Sequence, residues 1–141
     1  MASGKYESLS QSLLNYLFNG TAWPGGQPAT LYLALFTVAP TISSLGTEAT
    51  GSGYSRLAVT SNSTNWPVIS GSTTTVENAV AQTMATATGN WSSSANMTDA
   101  GFFSSSGGSV LLYWGDLTVA KPVLSGDTPS FAIDAITVQE L

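Results

Sequence analysis

Few residue types in this sequence can carry catalytic or metal chemistry. The 141 residues include no histidine and no cysteine, which removes the most common general base, the thiolate nucleophile and the soft metal ligands. Serine is abundant, but a serine nucleophile needs a base, and neither Lys5 nor Lys121 lies in a recognisable catalytic motif. The eight carboxylates show no spacing typical of a glycosidase pair or a calcium loop. We therefore expect no enzymatic activity, no cofactor and no metal site.

Arg56 is the most informative charged position in the chain. It is the sole arginine, and it follows the glycine-rich segment 51–53 beside Tyr54. A guanidinium group binds a carboxylate through two parallel hydrogen bonds. We therefore expect Arg56 to pair either with Glu48 across that segment or with a carboxylate of another subunit. Glu48, Tyr54 and Arg56 are candidate interface residues for this reason.

Large aromatic side chains supply the other candidate interface residues. Of the four tryptophans, Trp114 lies in an apolar run and is expected in the core. Trp23 and Trp66 lie in loops beside proline, where an indole can pack against its own protein, anchor a protein interface or stack on a sugar. Tyr6 begins the apolar stripe of a predicted N-terminal helix. We therefore add Tyr6, Trp23 and Trp66 to the candidate interface.

The charge balance limits the classes of partner. Charged residues make up 8% of the chain, the net charge is −5, and three residues are basic. A phosphate-binding surface needs clustered Lys and Arg, so we expect no nucleic-acid partner and no binding to anionic membranes. No apolar run approaches the roughly 20 residues that span a bilayer. A weakly charged surface gives little electrostatic repulsion between copies, which is compatible with self-association.

The apolar run Leu31–Thr37 organises the predicted fold. Seven residues between breakers suit a strand better than a helix, and the lack of alternation predicts that both faces are covered. Val110–Leu117 is a second apolar strand, and turn residues recur at roughly ten-residue spacing. We predict a mainly β, single-domain protein over residues 1–141. Its expected architecture is an antiparallel β-sandwich, jelly-roll-like, with one short N-terminal amphipathic helix at about residues 5–19.

Several segments leave alternatives open. The apolar stripe of the helix either closes one end of the sandwich core or docks on a partner. The polar segments 38–53 and 61–71 are predicted to be loops that form interaction surfaces. Segment 72–88 is predicted to hold two strands, and a helix over 76–84 is the competing interpretation.

A series of short motifs, in this order, resembles small virion proteins of tailed bacteriophages. The motifs follow the amphipathic helix and cover almost the whole chain: Leu31–Thr37 with Ala39-Pro40, Gly46-Thr47-Glu48, Gly51–Arg56, Ala85–Thr88 ending near Trp91, Gly101-Phe102-Phe103, Gly107-Gly108, Leu111–Leu117 and Gly126-Asp127-Thr128. Members of this family are commonly labelled tail-fibre proteins, and similar folds serve as capsid decoration (cement) proteins. The chain departs from the pattern at Ser104–Ser106 and in the Ser/Thr-rich segment 61–75.

The resemblance implies a structural, multi-copy role. The first hypothesis is a decoration protein on the capsid exterior, a homotrimer that bridges subunits of the major capsid protein. The second is a tail, neck or head fibre component that contacts host or tail proteins. A hypothesis from another class is a carbohydrate-binding module that uses Trp23 and Trp66.

Overall fold

The computed structural model shows a mainly β protein built from antiparallel strands. It describes residues 4–7, 9, 11, 13, 18, 28–69 and 74–140. Eleven strands lie within these residues: β1 (Gly4–Lys5), β2 (Thr30–Val38), β3 (Thr47–Glu48), β4 (Leu57–Thr60), β5 (Val68–Ile69), β6 (Thr74–Glu77), β7 (Gln82–Thr83), β8 (Met97–Phe103), β9 (Leu111–Lys121), β10 (Ser130–Phe131) and β11 (Thr137–Glu140). A short 3₁₀ segment, Trp91–Ser94, precedes β8.

The strands of the described residues form three sheets. The largest has six strands in the order β1–β9–β8–β2–β3, with β4 also pairing with β2. The other two are β10–β7 and β11–β6–β5. Every pairing is antiparallel, which confirms the predicted mainly β, antiparallel class. The finer expectation of a jelly-roll-like sandwich stays a prediction.

Strand β2 is buried on both of its faces, as its unbroken apolar sequence predicts. Leu33 and Leu35 point to one face, and Ala34 and Phe36 to the other, because side chains alternate along a strand. All four are at most 3% exposed. Burying a side chain of this kind contributes about 1.5–3 kcal/mol for the larger residues. The strand therefore connects two separate parts of the hydrophobic core.

Different segments cover the two faces of the largest sheet. The Leu35 face packs against Met84, Trp91 and Val123, which come from the connections around the smaller sheets. The Phe36 face forms a cluster that Tyr6 and Leu45 cover. Because both faces of the sheet are buried, segments from different parts of the chain must pack on each face.

The N-terminal segment begins as a strand. Lys5 pairs with Tyr113 of β9 and Gly4 with Trp114, so the expectation that the helix begins at Lys5 is wrong: backbone pairing to the edge of β9 holds this position extended. The described residues at 7, 9, 11, 13 and 18 have helical backbone. The rest of the predicted helix lies outside the described residues, and the helix over about 5–19 stays a prediction. No helix among the described positions is long and apolar enough to cross a membrane.

Two predicted loops contain strands. Segment 38–53 holds β3, which pairs with β2 through Phe36 and Val38. The turn that returns it contains Gly46 at φ +66°, where an added Cβ would lie 2.3 Å from the carbonyl oxygen of Val38. Segment 61–71 holds β5, which pairs with β6. In both cases the strand is two residues long, too short to leave an alternating pattern in the sequence.

Segment 74–88 follows the two-strand interpretation. Strand β6 pairs with β5 and β11, and β7 pairs with β10. Between them Asn78 is fully buried, and its side chain bonds three backbone groups, on Val80, Ala132 and Ile136. The competing helix over 76–84 is therefore wrong, because β6 pairs with β5 and β11 and β7 pairs with β10 through backbone ladders.

Strand β8 places a carboxyl group in the core. Asp99 is fully buried and lies opposite Asp116 of β9 in the sheet register. The Thr98 hydroxyl donates a 2.7 Å hydrogen bond to its Oδ1, whereas Oδ2 has no partner within the described residues. Burial raises the pKa of Asp99, the Thr98 hydrogen bond lowers it in part, and Asp116 raises it again. The folded protein therefore holds this proton more tightly than the unfolded chain does.

The raised pKa predicts a stability that falls with pH. The free energy of unfolding should decrease as the pH rises from about 4, the ordinary pKa of Asp, through the raised pKa of the folded state. Asp99→Asn cannot ionise, so we expect a flatter pH dependence and a gain on the order of 1 kcal/mol at pH 7. Urea unfolding from pH 4 to 8 measures both quantities.

The matched control is Asp134→Asn, at an exposed aspartate with φ +61°, a conformation that Asn tolerates. This variant should keep the pH dependence of the original protein. If Asp99→Asn instead runs parallel to the original protein across this pH range, Asp99 does not ionise in the way described.

Candidate functional site

Three segments meet around Arg56. Glu48 ends strand β3, the turn at Gly51–Gly53 reverses the chain, and Arg56 precedes β4. Gly51 and Gly53 have φ of +138° and +82°, and the Gly51 carbonyl accepts a hydrogen bond from the Tyr54 amide. This turn holds residues 54–56 out of the β4 ladder and directs two of their side chains towards Glu48.

The guanidinium group of Arg56 binds Glu48 in a bidentate pair. Nε donates to Oε1 at 2.8 Å and Nη2 donates to Oε2 at 2.7 Å. The side chains are 9% and 25% exposed, respectively, so water screens this pair less than a surface ion pair. Of the two partners expected from the sequence, the structure shows the one within the chain.

Arg56 also fixes the turn between β8 and β9. Its Nη1 donates to the carbonyl oxygens of Ser105 at 2.9 Å and Gly108 at 2.7 Å. Its guanidinium carbon lies 3.4 Å from the centroid of the Phe103 ring, a cation–π contact. One side chain thus ties Glu48, which is 8 residues away along the chain, to a turn that is 49 to 52 residues away.

Tyr54 completes the cluster and links it to the core. Its hydroxyl donates a 2.8 Å hydrogen bond to Oε1 of Glu48. Its ring packs edge-on against the Trp91 ring, with the two ring centroids 5.0 Å apart. Burial raises the pKa of Tyr54 well above its ordinary value, and the hydrogen bond and charge of Glu48 raise it further. The phenol therefore stays protonated and acts as a fixed donor to Glu48.

A cavity of about 310 Å³ lies beside this cluster. Aromatic rings, the ion pair and two glycine-containing turns line it: Phe36, Leu45, Gly46, Glu48, Arg56, Phe103, Gly107, Gly108 and Ser109. The opposite charges of Glu48 and Arg56 neutralise each other there. Glu48 accepts three hydrogen bonds and Arg56 donates four. The arrangement is therefore suited to holding turns in place, because its polar groups are already engaged within the chain.

The six candidate interface residues fall into separate places. Glu48, Tyr54 and Arg56 lie together, as their spacing predicts. Tyr6 lies elsewhere and packs against the core cluster around Phe36. Trp66 packs edge-on against the Phe102 ring, with the two ring centroids 5.5 Å apart, so it contributes to packing. Trp23 lies outside the described residues.

Sequence reasoning missed the carbonyl groups that complete the Arg56 site. Ser105 and Gly108 lie in a turn that the Gly107-Gly108 pair signals, but nothing in the sequence connects that turn to Arg56. Trp91 was also not assigned to this region. Within the described part of the chain, no group of three or more Asp or Glu residues is placed to hold a metal ion.

The fold and this site define a small antiparallel β protein whose turns are fixed by internal polar contacts. A protein-family model described as "Podophage GP4 fiber I protein gp80" matches residues 5–139, and the chain belongs to this family. The match confirms the resemblance to small virion proteins of tailed bacteriophages and identifies the protein as a structural protein of a phage virion. A search of curated proteins found no significant match.

The Arg56 cluster predicts a specific ranking of stabilities. Arg56→Ala removes the charged partner of Glu48, which keeps its hydrogen bond from Tyr54, and the donor of two carbonyl groups, so we expect the free energy of unfolding to fall by about 3 kcal/mol. Arg56→Lys keeps the charge but loses the bidentate geometry, and we expect a loss of about 1–2 kcal/mol. Tyr54→Phe removes one hydrogen bond and should cost about 1 kcal/mol. Urea unfolding measures all three.

Protein concentration provides the control for this experiment. Because the ion pair lies within one chain, the loss in Arg56→Ala should be the same at low and high protein concentration. A loss that appears only where the protein is assembled would instead indicate a carboxylate of another subunit as the working partner.

Proposed function

We propose that this protein is a structural, non-enzymatic subunit of a fibre on a phage virion, present in several copies. The observation that carries the proposal is the family match, which spans 135 residues, 5–139, and is described as a fibre protein of a podophage. A match over nearly the whole chain concerns the complete β fold and not a shared short motif. The partners we propose are further copies of the chain, expected as a homotrimer, and the tail or neck proteins that anchor a fibre.

The physical properties of the chain support a structural role. A fibre subunit must keep its shape while it contacts neighbours, and the Arg56 cluster fixes two turns by contacts within the chain. The low content of charged residues, 8%, gives little repulsion between copies. An exposed apolar side chain such as Val119, which is 67% exposed, can be buried when subunits meet.

A capsid decoration protein is the second candidate. In that role a homotrimer would sit on the capsid exterior and bridge subunits of the major capsid protein. The small size and weakly charged surface suit this role equally well, and the sequence resemblance includes decoration proteins. The family description favours the fibre. A carbohydrate-binding module is less well supported, because Trp66 contacts Phe102 with its ring edge-on.

The position of the protein on the virion separates the two candidates. Antibodies raised against the purified protein and coupled to gold should label the tail or neck in electron micrographs. Labelling spread evenly over the shell would contradict the fibre proposal and support decoration. Virions that lack the protein provide the control for the specificity of the antibody.

A second measurement tests the proposed assembly. Light scattering coupled to size-exclusion chromatography should give three times the mass of one chain for the purified protein. A single-chain mass at every accessible concentration would contradict the homotrimer.

A further inference from the structure

A large groove opens between the largest sheet and the smaller ones. Its volume is about 1230 Å³. Strands β2, β8 and β9 form one wall and the chain around β10 and β11 forms the other, with mostly apolar lining residues that include Leu33, Phe102, Leu117, Phe131, Ile136 and Val138. Protein interiors contain few voids larger than a water molecule. The two layers are therefore incompletely closed along this side.

Strand edges border the groove on both walls. Strand β9 pairs with β1 through Tyr113 and Trp114. Towards β8 a bulge or irregularity separates the pairs of Asp116 and Lys121, which leaves residues 117–120 without a strand partner within the described part of the chain. Residues 118–120 are exposed. On the other wall, β11 is an end strand of its sheet and, among the residues that the structure describes, pairs with β6 alone.

The size and chemistry of the groove indicate a polypeptide occupant. Pockets for small ligands usually measure about 300–1,000 Å³, and this groove is larger. Its charged lining residues are two lysines and two aspartates, Lys5, Lys121, Asp116 and Asp127, so its formal charge is zero. An extended segment can bond to a free strand edge through its backbone and place alternate side chains in apolar pockets. A neutral, β-forming segment fits these conditions.

We propose that the groove receives an extended segment from a second copy of this chain. This inference rests on the proposed function, because a fibre supplies neighbouring copies. The chain itself is poor in charge, with 8% charged residues, so its own segments match a neutral groove. A groove and the segment that fills it are different surfaces, and such head-to-tail contacts generate closed rings or open filaments. That geometry suits a fibre.

Variants at Val119 test the inference. Val119→Asp places a charge at the rim of the groove, and Val119→Pro removes a backbone donor from the free edge. We expect each to raise the dissociation constant of the assembled protein about tenfold or more, as measured by analytical ultracentrifugation. The matched control is Ile42→Asp, because Ile42 has the same 67% exposure and does not line the groove. It should assemble like the original protein.

Hydrogen exchange on the unmodified protein tests the same contact without any substitution. The amides of residues 118–120 should exchange quickly in the dilute monomer and more slowly in the assembled protein. Equal exchange in both states, or Val119 variants that assemble normally, would overturn the inference while leaving a multi-copy fibre intact. Protection that appears only when other virion proteins are added would also overturn the second copy as occupant. A protein that is monomeric at all concentrations would contradict both this inference and the proposed multi-copy function.

Discussion

The burial of strand β2 on both faces is the constraint on which the rest of the structure depends. A strand with apolar residues on both sides is stable only between two layers. Here the smaller sheets and their connections cover one side, and Tyr6 and Leu45 contribute to the cover on the other. The backbone of β2 is engaged by β8 along one edge and by β3 and β4 along the other. Long-range pairing around one strand thus determines where the turns next to β3, β4 and β8 lie.

The turns then determine where the polar groups meet. Strand β3 returns along β2 with Glu48 opposite Phe36, and Glu48 and the turn between β8 and β9 meet at one corner around the Arg56 side chain. Arg56 enters that corner and satisfies groups from both segments. Removing two charges from water is costly unless each finds good partners, and this site supplies five hydrogen bonds to the two side chains, two of which join them to each other. The corner is therefore held rigidly by groups of one chain.

The sequence was sufficient for the parts of the structure that leave a local pattern. The run Leu31–Thr37 predicted a strand with two buried faces, and the proximity of a lone arginine to Glu48 predicted one of two possible ion pairs. Strand β3 could not be predicted, because two residues carry no periodicity. The contacts from Arg56 to Ser105 and Gly108 could also not be predicted from the sequence, since they depend on how β8 and β9 pair. Lys5 was wrongly predicted to begin the helix, because its pairing with Tyr113 at the edge of β9 leaves no local pattern in the sequence.

The structure combines a corner that is closed by contacts within the chain with a groove that is open, and this combination suits a subunit of a virion. The corner around Arg56 is held by hydrogen bonds within the chain, so it preserves shape. The groove beside β9 has apolar walls and, among the described residues, unpaired strand positions, and we propose that it accepts a neighbour. Neither preserving shape nor contacting a neighbour in this way requires many charged residues, and the chain has 8%. The function that we propose for it follows from shape and backbone complementarity.

Cryo-electron microscopy of the intact virion, at a resolution that traces the backbone, tests this account most directly. We predict several copies of the chain in contact with one another. The β9 edge should be hydrogen-bonded to an extended segment of a neighbouring copy that fills the groove. Isolated copies, each with the groove open to solvent, would contradict it.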